Sequence, residues 1–434
     1  MSAKLKFYHL TDLHLVARDS QHDIDTRKII EAAFNQLIDD KETEIVLISG
    51  DLTSFGDVAS HAAMIELLEK LKKAGKRVFV TLATHDYWFN GDYTRAELRE
   101  MYAPYGWHEA YAEFTPSYSY AVKLCEGWRL LALNDDGDGR EFCGYGDEEL
   151  QWIKAQIEDA HKNGEEVVAM THHPILPPNI VYPLVSHRDM LGGFETTGPF
   201  LADCGLQYLF VGHTHIQDIR YLETDKGNRM WQVNTGSLTQ YPGKYRLVCE
   251  TENGLDVTSV EVTKDYCMLG DRSAKDYLRM DFDFMIYDAL YSMAYDANRF
   301  ADFCIGMSMD RDTVYKLRHI ITPVGRFINN LTFRKAGKLF GISEYIDESI
   351  ADNSVKEFVI SAARNIFGGS ESYSPDTPEH IAISGLTTKF GPALRQLGDK
   401  FGIKDADTVL SRIIWDDGPD DQAWLLENFR SNAE

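Results

Sequence analysis

The chain has no apolar run approaching the ~18 residues that a membrane-crossing helix needs. No such helix is expected. Cysteine is scarce and scattered, six residues (Cys125, Cys143, Cys204, Cys249, Cys267, Cys304) without a CxxC pair. That excludes a disulfide scaffold and makes most of them buried, reduced thiols. Basic residues are outnumbered, 44 against 68 acidic, for a formal net charge of −24. Such a surface repels a phosphate backbone unless metal ions or a local basic patch intervene, so large nucleic acids are not expected as partners. Internal repeats and low-complexity tracts are missing as well. The N-terminal MSAKLKFYHLTDLH has two lysines but no apolar signal core or cleavage site, and a cytoplasmic location is expected.

What is present is a globular balance, 44% hydrophobic and 26% charged, over 434 residues. That length exceeds one compact core, so a domain of about 250 residues plus a second is expected. Up to about residue 240, the short apolar runs LKFYHL, EIVLIS, RVFVTL, EVVAM and LQYLFV alternate with amphipathic patterns, the mark of an α/β layered sheet. YSYAVKL and WRLLALN read as an antiparallel hairpin. Helical spacing relates Ile29, Ile30, Phe34, Leu37 and Ile38, and again Met64, Leu67, Leu68 and Leu71 before Gly75. Leu150, Ile153, Ile157 and Ala160 repeat it between Asp147 as N-cap and Gly164 as terminator. Beyond residue 265 the text turns helical, giving expected domains 1–264 and an all-α 265–434, with Phe282 to Phe303 as helical core and Gly368 to Pro378 as an exposed loop.

In a parallel sheet, side chains at the carboxyl ends of neighbouring strands meet in one crevice. Five runs end on His or Asp. The first supplies Asp12 and His14, whose i,i+2 spacing sets both to one side of an extended segment; the second supplies Asp51 after Gly50, which permits a tight turn. The others supply His85 and Asp86, His172 and His173 before Pro174, and His213 and His215. Carboxylate and imidazole donors suit Zn, Mn, Fe or similar ions, and two ions ~3.5–4 Å apart can clamp both oxygens of a phosphoryl displacement. Asp51, alone on its strand end, is the candidate bridge. His9 and His161 read instead as core or surface groups, and Asp135, Asp136 and Asp138 as a solvated turn beside the site.

The ordered series Asp12-x-His14, Gly50-Asp51, His85-Asp86, His172 and Gly212-His213-x-His215 resembles the calcineurin-like metallophosphoesterase superfamily. The resemblance spans roughly residues 5 to 240, through Asp147 to Ile153 and Asn234 to Ser237. It implies a four-layer α/β/β/α sandwich, here followed by a C-terminal all-α domain able to cap the site or mediate homo-oligomer assembly. It also implies two metal ions, Mn, Fe, Zn or Ni, one held by Asp12, His14, Asp51 and His215, the other by Asp51, His172 and His213. His85, oriented by Asp86, would contact the phosphate of a small-molecule ester and protonate the leaving oxygen. Similarity to bacterial cyclic nucleotide phosphodiesterases with an extra helical domain favours a diester. Phosphomonoesterase or pyrophosphatase activity, or a catalytically weakened binding scaffold, are the alternatives.

One position departs from the family. Where Gly-Asn-His-Asp or Gly-Asn-His-Glu is usual, this chain reads Ala83-Thr84-His85-Asp86. The hydroxyl of Thr84 is a shorter, poorer ligand than an amide oxygen, which predicts a weaker or rearranged second metal. His173 is left between phosphate contact and packing, and Tyr87 and Trp88 between stacking on a leaving group and packing.

Overall fold

In this computed structural model, residues 4–429 are described apart from 19, 88–91, 137–142, 180–181, 183–188, 307–310, 370 and 402–405. Trp88 and Asp138 therefore lie outside the described residues.

The first three apolar runs form β1 (Lys6–Leu10), β2 (Ile45–Ser49) and β3 (Arg77–Thr81), which pair in parallel. Helices α1 (Gln21–Asp39) and α2 (Val58–Lys73) connect them. Ser20 and Asp57 cap those helices by accepting the N–H of Asp23 and Ser60, each worth ~1 kcal/mol. Burial of Ile29, Ile30, Phe34 and Leu37, and of Met64, Leu67, Leu68 and Leu71, is worth roughly 1.5–3 kcal/mol per side chain. The apolar faces, not the caps, therefore place the helices.

The predicted hairpin is β5 (Ser119–Cys125) and β6 (Trp128–Ala132), with β4 (Ala112–Phe114) on its outer edge. β6, β7 (Glu166–Met170) and β8 (Tyr208–Val211) run parallel, followed by β9 (Asp218–Glu223) and β10 (Arg229–Asn234). The order in this second sheet is β4-β5-β6-β7-β8-β10-β9. Between β6 and β7, the helix Asp147–Lys162 buries Ile153, Ile157 and Ala160. Asp147 is its first residue rather than its cap; Gly146 stands at the N-cap without a side-chain bond.

β11 (Lys244–Glu250) and β12 (Gly254–Glu261) extend the first sheet on the far side of β1. A final strand, Ala423–Glu427, pairs antiparallel with β12, so that sheet reads final strand-β12-β11-β1-β2-β3. The two sheets share a core in which Phe7 of β1 meets Phe210 of β8 edge-on at 5.2 Å. With helices on both outer sides, the architecture is the expected α/β/β/α sandwich accompanied by a helical C-terminal region.

The chain divides into two compact units. One comprises Met1–Pro178, Asp189–Leu278 and Pro419–Glu434; the other comprises Asn179–Arg188 and Arg279–Gly418. The change comes after Leu278 rather than at residue 264, and the last residues return to the first unit. In the helix Ala274–Tyr295, Phe282, Ala289, Leu290 and Ala294 are buried, but Phe284, Tyr287, Tyr291 and Tyr295 are exposed. Only part of that aromatic stretch is core. Among the described residues no helix is long and apolar enough to cross a membrane.

Candidate metal centre

The carboxyl ends of β1, β2, β3, β7 and β8 bring Asp12, His14, Asp51, His85, His172, His213 and His215 together. The first four come from one sheet and the last three from the other. Asp12, His14 and His215 offer donor atoms within 4.8 Å of one another, as do Asp51, His172 and His213, and also His14, Asp51 and His85. His14 and Asp51 each belong to two of these groups.

The backbone does not approach this edge as extended chain. Asp12, His14, Asp51, His213 and His215 all adopt left-handed φ, between 44° and 69°. Such conformations cost a non-glycine residue roughly 1–3 kcal/mol each and persist where surrounding structure enforces them. Here it does. Asp12 and His14 donate their N–H groups to Gly50 O and Asp51 O, while Ser237 and Thr239 hydroxyls donate to the carbonyls of Asp12 and Leu13. Gly50 has φ +87°, and a Cβ there would lie 2.8 Å from the His172 ring; a Cβ at Gly212 would lie 2.5 Å from Asp12 Oδ2. The Gly-Asp and Gly-His pairs follow from that crowding.

The His172 and His215 imidazoles are each turned by one hydrogen bond so that the other nitrogen faces the cluster. His172 Nδ1 donates to Ser49 O at 2.8 Å, leaving Nε2 3.1 Å from Asp51 Oδ2 and 3.2 Å from His213 Nδ1. His215 Nδ1 donates to Gln240 Oε1 at 3.1 Å, leaving Nε2 3.2 Å from both Asp12 Oδ1 and His14 Nε2. His14 Nε2 is 3.6 Å from Asp12 and 3.8 Å from Asp51. Lone pairs of two imidazoles aimed at one another across about 3 Å repel unless a positive charge sits between them. That donor chemistry fits a pair of divalent ions.

The electrostatics point the same way. Burial opposes ionisation of Asp12, yet His215 and His172 hold its carboxyl well below the usual range. Burial likewise opposes charge on His172, but Asp51 and Asp12 overcome it and hold the imidazole up at about 10. Positive charge is favoured at this point.

His85 is the most solvent-accessible of these rings, its side chain 34% exposed against 0% for His172 and 10% for His14. Its Nδ1 donates to Ser54 O at 2.9 Å, and its Nε2 lies 4.0 Å from Asp51 Oδ2. Ser54, not Asp86, thus orients the ring. Asp86 is fully buried and accepts from the backbone N–H of Thr53 and Ala83, both at 3.0 Å, which ties the turn after β3 to the turn after β2. Successive residues of the single turn α3 (Thr84–Tyr87) diverge, which the adjacency of His85 and Asp86 in sequence does not convey.

Three further expectations change. His173 is 2% exposed, so it is a packed residue whose Nδ1 bonds Asp135 at 3.0 Å, not a phosphate contact. Asp135 and Asp136 are buried rather than solvated. Tyr87 packs on the core with the Arg95 guanidinium 5.2 Å above its ring. His9 behaves as expected for a core group, between Thr235 Oγ1 at 2.8 Å and Ser49 Oγ at 2.9 Å. Sequence reasoning missed Ser49, Ser54 and Gln240 as orienting groups, since two act through backbone carbonyls that carry no side-chain signature. Asp135 was legible by the strand-end rule itself, because it follows β6.

Residues 5–217 match the model of the calcineurin-like phosphoesterases. This part of the chain belongs to that family. Calcineurin-like phosphoesterases imply a dinuclear divalent metal centre and metal-dependent hydrolysis of phosphate esters. Among solved structures, the chain is similar to a dimetal phosphatase from Danio rerio, at 13% identity over 60% of this chain and 97% of that one, TM-score 0.47. It is also similar to a purple acid phosphatase from yellow lupin (Lupinus luteus), at 12% identity over 61% and 52%, TM-score 0.42. No curated protein matches the sequence.

Proposed function

We propose that the protein is a cytoplasmic phosphodiesterase acting on a small, soluble, nucleotide-like ester. The observation that carries the reading is the set of three donor groups linked through His14 and Asp51, with the accessible Nε2 of His85 4.0 Å from the Asp51 carboxylate. Asp12, His14, Asp51 and His215 would hold one ion, and Asp51, His172 and His213 the other. Bound there, two such ions supply Lewis-acid charge neutralisation and an activated water.

The chain's own residues do the rest. His85 keeps its Nδ1 proton on Ser54 O, so Nε2 is the atom that exchanges a proton with the leaving oxygen or holds a phosphate oxygen. Asp86 keeps the turn carrying His85 at a fixed height over Asp51. No lysine or arginine pairs with Asp12 or Asp51 among the described residues, where the imidazoles are the positive groups beside them. A singly charged diester asks less of such a site than a doubly charged monoester. The net charge of −24 supports a small substrate over a polymer.

The test compares aryl phosphate mono- and diesters with Mn, Fe, Zn and Ni, for the parent and His85→Ala. The diester is expected to turn over faster. His85→Ala should lower turnover by ~10²–10⁴ while metal content is unchanged. Faster monoester hydrolysis overturns the diester preference; no hydrolysis of either ester by metal-loaded protein overturns the enzyme reading.

A further inference from the structure

Beside these donor groups lies another that the function above leaves unused. Asp135, Asp136, Cys143 and His173 each offer one donor atom within 4.8 Å of the others. Asp135 and His173 are buried, Asp136 is 8% exposed and Cys143 is half-buried.

Asp135 is fully committed. Its carboxylate accepts from the Thr171 hydroxyl at 2.8 Å, from the backbone N–H of His172 and His173 at 3.1 and 2.7 Å, and from His173 Nδ1 at 3.0 Å. The last bond places the ring proton on Nδ1, and His173 and Cys143 each offer a donor atom within 4.8 Å of the other. A carboxylate behind an imidazole in this way is the usual support of a ligating histidine.

Asp136 is not satisfied. Its Oδ1 accepts from Cys143 Sγ at 2.7 Å and from Thr84 Oγ1 at 3.3 Å. Its Oδ2 is buried with no hydrogen-bond partner among the described residues, although the Tyr87 hydroxyl faces the same carboxylate. Two buried carboxylates here meet one imidazole, with the Arg95 guanidinium donating to the Asp136 backbone carbonyl, and an unsatisfied buried carboxylate oxygen is expensive in a protein interior. A cation among these donors gives the Asp136 Oδ2 a partner.

We propose that Asp136, Cys143 and His173 form a third cation site, for a borderline-soft divalent transition ion such as zinc, with Asp135 as the residue that positions His173. Thiolate, imidazole and carboxylate together select zinc or cobalt over magnesium or calcium. On binding, the Cys143 S–H bond breaks, the sulfur electron pair forms the bond to the ion, and the proton leaves to solvent. The site lies against the dinuclear centre, since the His173 ring is 4.1 Å from that of His213 and Asp135 also holds the His172 N–H. Its occupant stiffens the turn that carries His172. Thr84 then has a definite partner, donating to Asp136 from the position where the family usually carries asparagine.

Cobalt(II) added to the full chain tests this, read by bound equivalents and by a near-ultraviolet thiolate-to-cobalt charge-transfer band. Three equivalents and the band are expected for the parent. Cys143→Ser should lose the band and one equivalent, and Asp136→Asn should weaken both, with circular dichroism reporting that each variant is folded. Two equivalents without the band in the parent, a measurement that needs no variant, overturns the site; so does a band that survives Cys143→Ser. Asp51→Asn separates the two centres: it should lose cobalt from the dinuclear site and keep the band. A parent that shows the band yet hydrolyses no phosphate ester counts against the hydrolase alone.

Discussion

Asp12, His14, Asp51, His213 and His215 share left-handed backbone, which among the described non-glycine residues is otherwise seen at Tyr118. Their motif spacing was legible, but the conformation was not: i,i+2 spacing suggests an extended segment, and only the sheet contacts around Gly50 and Ser237 impose the kinks. Gly50 tests how much the site depends on this. Gly50→Ala combines φ +87° with a Cβ 2.7 Å from Ala83 Cβ and 2.8 Å from the His172 ring. It should lower stability by about 1–3 kcal/mol and reduce bound metal, measured by urea unfolding and elemental analysis. His9 makes a separate prediction. Burial, then Arg246, lowers its pKa from 6.5 to about 3, so above pH 6.5 both folded and unfolded chains hold it neutral. As pH falls from 6.5 towards 3, only the unfolded chain binds the proton, and stability is lost at up to about 1.4 kcal/mol per pH unit. Urea titrations of metal-loaded protein at pH 7 and 5 should show a smaller drop for His9→Gln than for the parent; equal drops count against this role.

At the level of elements, the strands and first helices were readable because each carries its own periodicity. β1, β2, β3, β7 and β8 are short apolar runs, and α1 and α2 have continuous buried faces. The final strand was not readable. AWLLE is five residues long and lies more than 160 residues beyond its partner β12, so nothing local announces the pairing. Yet it is well tied. Leu426 is fully buried, Trp231 Nε1 donates to Glu427 O at 3.1 Å, and the buried Arg246 donates to Asp421 O and Asn234 O. A chain ending at Gly418 should therefore lose on the order of 2–5 kcal/mol from Leu426 alone and expose the edge of β12. Lower expression as soluble protein and an earlier urea midpoint are the readouts; unchanged values would mean the strand is dispensable.

Over the whole molecule, Arg279–Gly418 is inserted into a chain whose two flanks belong to one unit. Composition could show that a helical stretch begins after residue 265, but not that the chain comes back, because return depends on pairing between distant strands. The same distance separates the donors. Asp12 and His215 Nε2 meet at 3.2 Å across 203 residues, one side chain rooted in each sheet. Occupied, the metal pair acts as a rivet between the two leaves of the sandwich, and removing it should loosen the joint as well as silence the chemistry. Chelated protein is expected to melt lower, by an amount worth about 2.7 kcal/mol if free metal had been a hundredfold above its dissociation constant. A melting curve indifferent to chelation would mean that the leaves are fastened by their apolar filling alone.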